Sequence, residues 1–181
     1  MDTRRVVITG MGAVSPFGAG VECLWGNLMA GRSAVRYVES MKMLGGVRSY
    51  VAGIVPELET SIIPRKQRRF MSPMSVYSTL AAFEAIAAAK LTQNDTNKRT
   101  TGICLASTMG SSMESQNFFQ NLNHTNSIET VKSTMFFKTM NHSAAANTAL
   151  AIGITGRIVS PSAACASGTV AIGMAYEAIS A

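Results

Sequence analysis

Two hydrophobic periods alternate along this chain. Arg5-Val6-Val7-Ile8-Thr9 is a short β-branched run that meets Gly10-Met11-Gly12, which predicts a buried strand over 5–9 ending in a glycine turn. Helical spacing follows. Val21, Leu24, Trp25 and Leu28 share one face and Gly31 stops it, predicting a helix over 21–30. Residues 32–60 read as irregular, apart from a short strand over 49–54. Ser72 stands at a cap position with Pro73 at the first helical position, where a missing N–H costs nothing. The alanine-rich stretch over 73–90 is apolar around most of its circumference and predicts a central, buried helix. A polar loop over 92–101 leads to a second strand over 101–106. Residues 113–133 carry asparagine, glutamine and serine with scattered apolar positions, which predicts a polar insertion or lid. A helix over 140–152, a strand from Ile158 and a helix over 169–179 complete the pattern. Strands alternating with helices argue a layered α/β fold with the sheet covered on both faces.

Composition narrows the class. At 181 residues the chain is one domain, or one large half of something bigger. An apolar share of 47% against 14% charged supports a sizeable core and excludes disorder. No window approaches about 18 consecutive apolar residues, so a transmembrane helix is excluded. The apolar run after Met1-Asp2-Thr3-Arg4-Arg5 is too short for a signal peptide, so a soluble, cytoplasmic protein is expected. Sixteen basic and ten acidic residues give +6, which allows an acidic partner without pointing to nucleic acid. The cysteines, Cys23, Cys104 and Cys165, are odd in number and form no CxxC, so neither zinc nor a disulfide framework is expected. The twelve methionines suit a flexible apolar ligand or ordinary core filling.

Cys165 is the most informative position. It stands where a strand hands over to a helix, among Ala163, Ala164, Ala166, Ser167 and Gly168. A tight elbow projects a side chain into a cleft, and small neighbours let substrate approach. The following helix N-terminus favours a thiolate and offers N–H groups to an oxyanion. The same pattern equally fits a buried structural cysteine. Cys104, in mid-strand, reads as core, and Cys23 has no partner suggested by sequence. Gly10-x-Gly12 after a strand resembles a dinucleotide loop, but its third glycine is missing, because position 15 is serine. Arg65-Lys66-Gln67-Arg68-Arg69 is dense enough to dock a phosphate or an acidic protein, although most charge runs are solvated surface. No aromatic interleaving accompanies it, which argues against nucleic acid. His124 lies in the polar segment and His142 opens the 140–152 helix. Neither is a compelling acid or base.

These motifs converge on a family. Val7-Ile8-Thr9-Gly10-Met11-Gly12-Ala13-Val14-Ser15-Pro16-Phe17-Gly18 resembles the N-terminal signature of β-ketoacyl-acyl-carrier-protein synthases I and II. Ile63-Pro64-Arg65-Lys66-Gln67-Arg68-Arg69-Phe70-Met71-Ser72 resembles the basic segment before their buried helix, and Ala163-Ala164-Cys165-Ala166-Ser167-Gly168 their nucleophile elbow. The resemblance implies the N-terminal half of a thiolase-like fold, a five-stranded mixed sheet with helices on both faces, occupying residues 1–181 with the polar insertion near 113–133. It implies a homodimer, and a second half that carries the family's histidines, which neither His124 nor His142 matches. The chain is therefore expected to be a fragment, or one piece of a split enzyme completed by another chain.

The implied chemistry is acyl transfer onto Cys165, then decarboxylative Claisen condensation with malonyl carrier protein. No free cofactor is implied, since the phosphopantetheine arm enters on the carrier, and no metal. Arg65, Lys66, Arg68 and Arg69 would dock the acidic carrier protein. Met109 and Gly110 stand at the family's gate, with glycine leaving that position open. Met135, Phe136, Phe137 and Met140 are acyl-pocket candidates, or simple core packing. Two other readings stay open: a non-catalytic, chain-length-factor-like partner, and a basic nucleic-acid module resting on the arginine run alone.

Overall fold

A computed structural model describes residues 4–181; Met1, Asp2 and Thr3, part of the N-terminus expected to lack a signal peptide, lie outside the described residues. In chain order the elements are strands β1 (Val14–Ser15) and β2 (Gly18–Ala19), helix α1 (Val21–Met29) and strand β3 (Val35–Tyr37). A 3₁₀ turn (Glu39–Met43), strand β4 (Val51–Gly53) and helices α2 (Arg65–Arg68), α3 (Pro73–Ala88) and α4 (Gln93–Thr96) follow. Strand β5 (Ile103–Cys104), helix α5 (Ser112–Thr125), a second 3₁₀ turn (Ile128–Thr130), helices α6 (Ser133–Thr139) and α7 (Ser143–Ile152), strand β6 (Ile158–Val159) and helix α8 (Ser167–Ser180) complete the chain.

The core lies between α3 and α7, which share the most extensive contact in the molecule. It is built from small residues rather than large apolar ones. Ala144, Ala145 and Ala149 are buried together with Ser75, Thr79, Ser143, Asn147 and Thr148. Each polar group in this seam is matched. Thr148 Oγ1 meets Thr79 Oγ1 at 3.0 Å and Ser78 Oγ at 3.1 Å, and Asn147 Nδ2 donates to the Phe70 carbonyl at 3.1 Å. Small side chains let two helix backbones come close, and paired hydroxyls remove the desolvation penalty that buried polar groups would otherwise carry.

Several expectations need correction. The strands pair two by two, β1 with β2 and β3 with β4 antiparallel, β5 with β6 parallel, rather than as one five-stranded sheet among the described residues. The predicted strand over 5–9 is in no ladder, and its Val7 and Ile8 are exposed. The cause is the absence of a partner strand beside it, since a strand is stable only in a ladder. The glycines that follow have a different purpose from a cofactor turn. A β-carbon on Gly10 would meet the Ala85 carbonyl, and one on Gly12 the Ala81 carbonyl, so both are glycine because their backbone crosses α3 at close range. Glu84 on α3 clasps the same loop, accepting from the N–H groups of Ala13 at 2.9 Å and Val21 at 2.7 Å. That clasp satisfies an orphan donor at the start of α1.

The apolar face predicted for α1 exists but is uncovered, with Trp25 and Leu28 exposed. Ser72 stands at the cap position of α3, yet its hydroxyl meets Ser75 Oγ at 3.3 Å instead of the helix N–H groups. The loop over 92–101 contains α4, whose capping box pairs Thr92 with Asp95. Asp95 is held below the usual carboxylate range by its bonds to Lys98 and Thr92. The polar stretch after Met113 is largely helix α5, which buries Phe118 and leaves its asparagines and glutamines outward or half-covered. The helix expected over 140–152 starts only at Ser143, because Met140 is extended at the end of a separate helix, α6.

Candidate active site

Cys165 occupies the junction between β6 and α8. Its thiol is free and exposed. The residue before it, Ala164, has φ +47°, a left-handed conformation that residues with a β-carbon rarely adopt. This sharp reversal turns Cys165 out at the tip of the elbow, directly before a 14-residue helix. The first N–H groups of such a helix have no intrahelical acceptor and carry partial positive charge. The N–H groups of Ala166 and Ser167 turn back onto the Ala163 and Ala164 carbonyls, at 3.0 and 3.1 Å, so the elbow presents an accessible sulfur just before the positive end of the helix.

The loop expected to form the gate is tied to this elbow. Thr108 Oγ1 donates to the Ala164 carbonyl at 2.7 Å, and Ser162 Oγ donates to the Thr108 carbonyl at 3.2 Å. Met109 follows on the exposed side. Gly110 answers to a backbone crossing: a β-carbon there would strike the Thr139 carbonyl, at the end of α6. The Ser111 N–H reaches the Lys138 carbonyl at 3.5 Å, so residues 107–111 connect the elbow at Cys165 to α6. Met135, Phe136 and Phe137 lie on α6 and Met140 caps it. Phe136 is half-exposed and tilts against Phe118 with ring centroids 5.8 Å apart. Phe137 stands edge-on to His142 at 6.2 Å.

The basic segment divides. Arg65, Lys66 and Arg69 are exposed, and none is in an ion pair among the described residues. Arg68 is half-buried and donates to Thr60 Oγ1 at 2.6 Å, so it braces the loop before α2. Arg69 and Met135 meet in one cleft of about 320 Å³, which Phe70, Glu114, Lys132 and Lys138 also line. Lys138 and Glu114 are 3.4 Å apart there and largely shielded from solvent. Sequence reasoning missed Lys132 and Lys138, whose only signal was two lysines beside the pocket candidates. It also missed Thr108 and Ser167 at the elbow, because serine and threonine are common at every turn.

The remaining candidates stand apart. Cys104 lies on β5 beside a second cavity of about 380 Å³, lined by Arg99, Arg157, Met174 and Ile179 among others. Burial pushes its thiol up, opposed by Arg157. Cys23 donates to the Phe17 carbonyl at 3.4 Å. His124 is exposed near the end of α5, and His142 is the cap residue of α7. Among the described residues no cluster of three or more histidine, cysteine or acidic side chains could hold a metal. No helix there is long and apolar enough to cross a membrane.

Comparison with known proteins agrees with this architecture. The chain is 32% identical over 176 residues to 3-oxoacyl-[acyl-carrier-protein] synthase 1 of Haemophilus influenzae, covering 97% of this chain and 43% of that protein. Its structure resembles the crystal structure of a β-ketoacyl synthase from Burkholderia phymatum, with TM-score 0.85, 34% identity, and 96% and 43% of the two chains covered. It also resembles the ketosynthase of a type II polyketide acyl-carrier-protein complex bound to the hexaketide, with TM-score 0.80, 28% identity, and 99% and 43% covered. The chain thus spans less than half the length of the relatives it matches, in the N-terminal part of a thiolase-like fold. The model of the β-ketoacyl synthase N-terminal domain matches residues 3–181, and the chain belongs to that family.

Proposed function

We propose that this protein provides the acyl-accepting half of a 3-oxoacyl-acyl-carrier-protein synthase, a decarboxylating acyltransferase of fatty acid or polyketide-like synthesis. The observation that carries the reading is the exposed Cys165 at a left-handed elbow before α8, tied to the gate loop. The Cys165 sulfur attacks the carbonyl carbon of a carrier-bound thioester, and the tetrahedral oxyanion is held by the Cys165 N–H together with a second donor from the histidine-bearing half. The carbon–sulfur bond to the carrier's phosphopantetheine breaks, that thiol leaves, and the acyl group remains on Cys165. In the second stage a malonyl carrier thioester loses CO₂. The resulting carbanion attacks the acyl-cysteine carbonyl, forming a carbon–carbon bond and releasing the cysteine sulfur. Stabilising that carbanion requires paired donors, a role for the histidine-bearing half rather than for His124 or His142, both of which are exposed.

Arg65, Lys66 and Arg69 form the docking face for an acidic carrier protein, with Arg68 holding that face in place. The likeness to a ketosynthase that binds an acyl carrier protein supports this partner. The cleft shared by Arg69 and Met135 brings the docking face beside the pocket candidates on α6. The phosphopantetheine arm arrives on the carrier, so no free cofactor is required, and the setting is cytoplasmic. A homodimer, or assembly with a histidine-bearing half, completes the enzyme. A chain-length-factor-like partner is the weaker alternative, because the nucleophile is retained and accessible.

An electrophilic mimic of an acyl thioester tests this reading. The wild-type protein is expected to be labelled once and Cys165→Ala not at all, as read by intact mass. Equal labelling of both overturns it. The 181-residue chain by itself is expected to accept an acyl group without forming 3-oxoacyl product, and appearance of that product would contradict the two-stage division of labour. The double reversal Lys66→Glu with Arg69→Glu is expected to slow transfer from the carrier about tenfold at low salt and less at high salt.

A further inference from the structure

We propose that Ser167 and Thr108 are positioning residues for Cys165, acting together on one atom, the carbonyl oxygen of Ala164. Three donors converge there: Ser167 Oγ at 2.7 Å, Thr108 Oγ1 at 2.7 Å and the Ser167 N–H at 3.1 Å. Ser167 Oγ also accepts from the Ala163 N–H at 2.8 Å, so one buried hydroxyl ties the Ser162–Ala163 peptide to the Ala164–Cys165 peptide across the reversal. Ser162 Oγ returns a bond to the Thr108 carbonyl, closing the tie between elbow and loop from both sides.

The physical reasoning is short. Ala164 at φ +47° is disfavoured by its β-carbon and persists only where its surroundings over-determine it. A carbonyl oxygen has two lone pairs, so three donors saturate it and fix its direction. The direction of the Ala164 peptide in turn sets the Cα–Cβ vector of Cys165, and with it the line along which sulfur meets a carbonyl carbon. Neither hydroxyl needs to touch substrate. Ser167 holds the reversal, and Thr108 couples it to the loop that carries Met109, so that gate and nucleophile keep one relative geometry.

This inference rests on the acyl-accepting role proposed for Cys165, and two readouts separate the two claims. The first is acylation of Cys165 by acetyl and by long-chain acyl N-acetylcysteamine thioesters. Ser167→Ala is expected to lower the maximal rate about tenfold or more with little change in half-saturation, since misplacement of a reacting atom acts on the barrier. Ser167→Thr, which keeps the hydroxyl, restores the rate to within about threefold. Adding Ala164→Gly to Ser167→Ala also restores much of it, because glycine adopts the left-handed region without penalty. Thr108→Val slows the long acyl probe more than acetyl, and Thr108→Ser reverses that loss. The second readout, the backbone ¹³C shifts of Ala164, needs no acyl transfer: they report the left-handed conformation in wild type and Ser167→Thr, and its loss in Ser167→Ala. Unchanged shifts in Ser167→Ala, or an unchanged acylation rate, overturn the proposal. A wild type that takes no acyl group while Ala164 still depends on Ser167 overturns the acyl-accepting reading and leaves the positioning claim standing.

Discussion

Helices α3 and α8 are both alanine-rich and apolar, yet their surroundings differ sharply. Helix α3 is pressed between the glycine crossing at Gly10 and Gly12 and the hydroxyl-lined face of α7. Helix α8 buries only Ser167 and Ala171, and its Ile172, Tyr176 and Ile179 stand exposed, Ile172 at 72%. Positions 172, 176 and 179 lie on one helical face, and such an apolar stripe marks a surface made for a partner. The lesson is that composition makes a helix apolar, whereas a neighbour makes it buried. Helix α3 is half-covered along most of its length, with Ser75 and Thr79 fully buried, whereas α8 has Cys165 just before its first turn and an exposed apolar stripe along its side.

The glycines on the two sides break this comparison most directly. Gly12→Ala forces a β-carbon against the Ala81 carbonyl and is expected to cost about 3 kcal/mol, read from the urea midpoint. Thr148→Val removes the hydroxyl shared by Ser78 and Thr79 and is expected to cost about 1–3 kcal/mol in the same assay. On α8 the sign reverses. Gly173 has open space around it, so Gly173→Ala is expected to stabilise the free chain by about 0.5–1 kcal/mol. Loss of stability instead would show that another copy already covers that face. Smallest is Ile172→Ser, expected to change unfolding by less than about 0.5 kcal/mol while reducing self-association in sedimentation.

Sequence legibility followed the same division. Helix α3, the β4 strand and the elbow at Cys165 were readable because each carries its signal locally: a cap position with proline, a bounded β-branched run, and small residues around a thiol. The strand over 5–9 was misjudged because a β-branched run states a preference, while pairing depends on a neighbour. Helix α5 was read as a polar lid because its one buried anchor, Phe118, is hidden among polar residues. Gly10 and Gly12 looked like a turn motif, but their cause is the α3 backbone, 70 or so positions away in a contact no local pattern encodes. At the site, the cysteine is visible in sequence, and the bonds of the Thr108 and Ser167 hydroxyls to the Ala164 carbonyl are not.

Mapping which cysteine accepts an acyl group tests the central claim most directly. The protein is incubated with an acyl carrier protein thioester near pH 8, digested, and the acylated peptide identified by mass. The account expects the acyl group on Cys165, with Cys104, whose thiol burial pushes up, and Cys23 unmodified. An acyl group on Cys104 or Cys23, or spread evenly over the three, would contradict it.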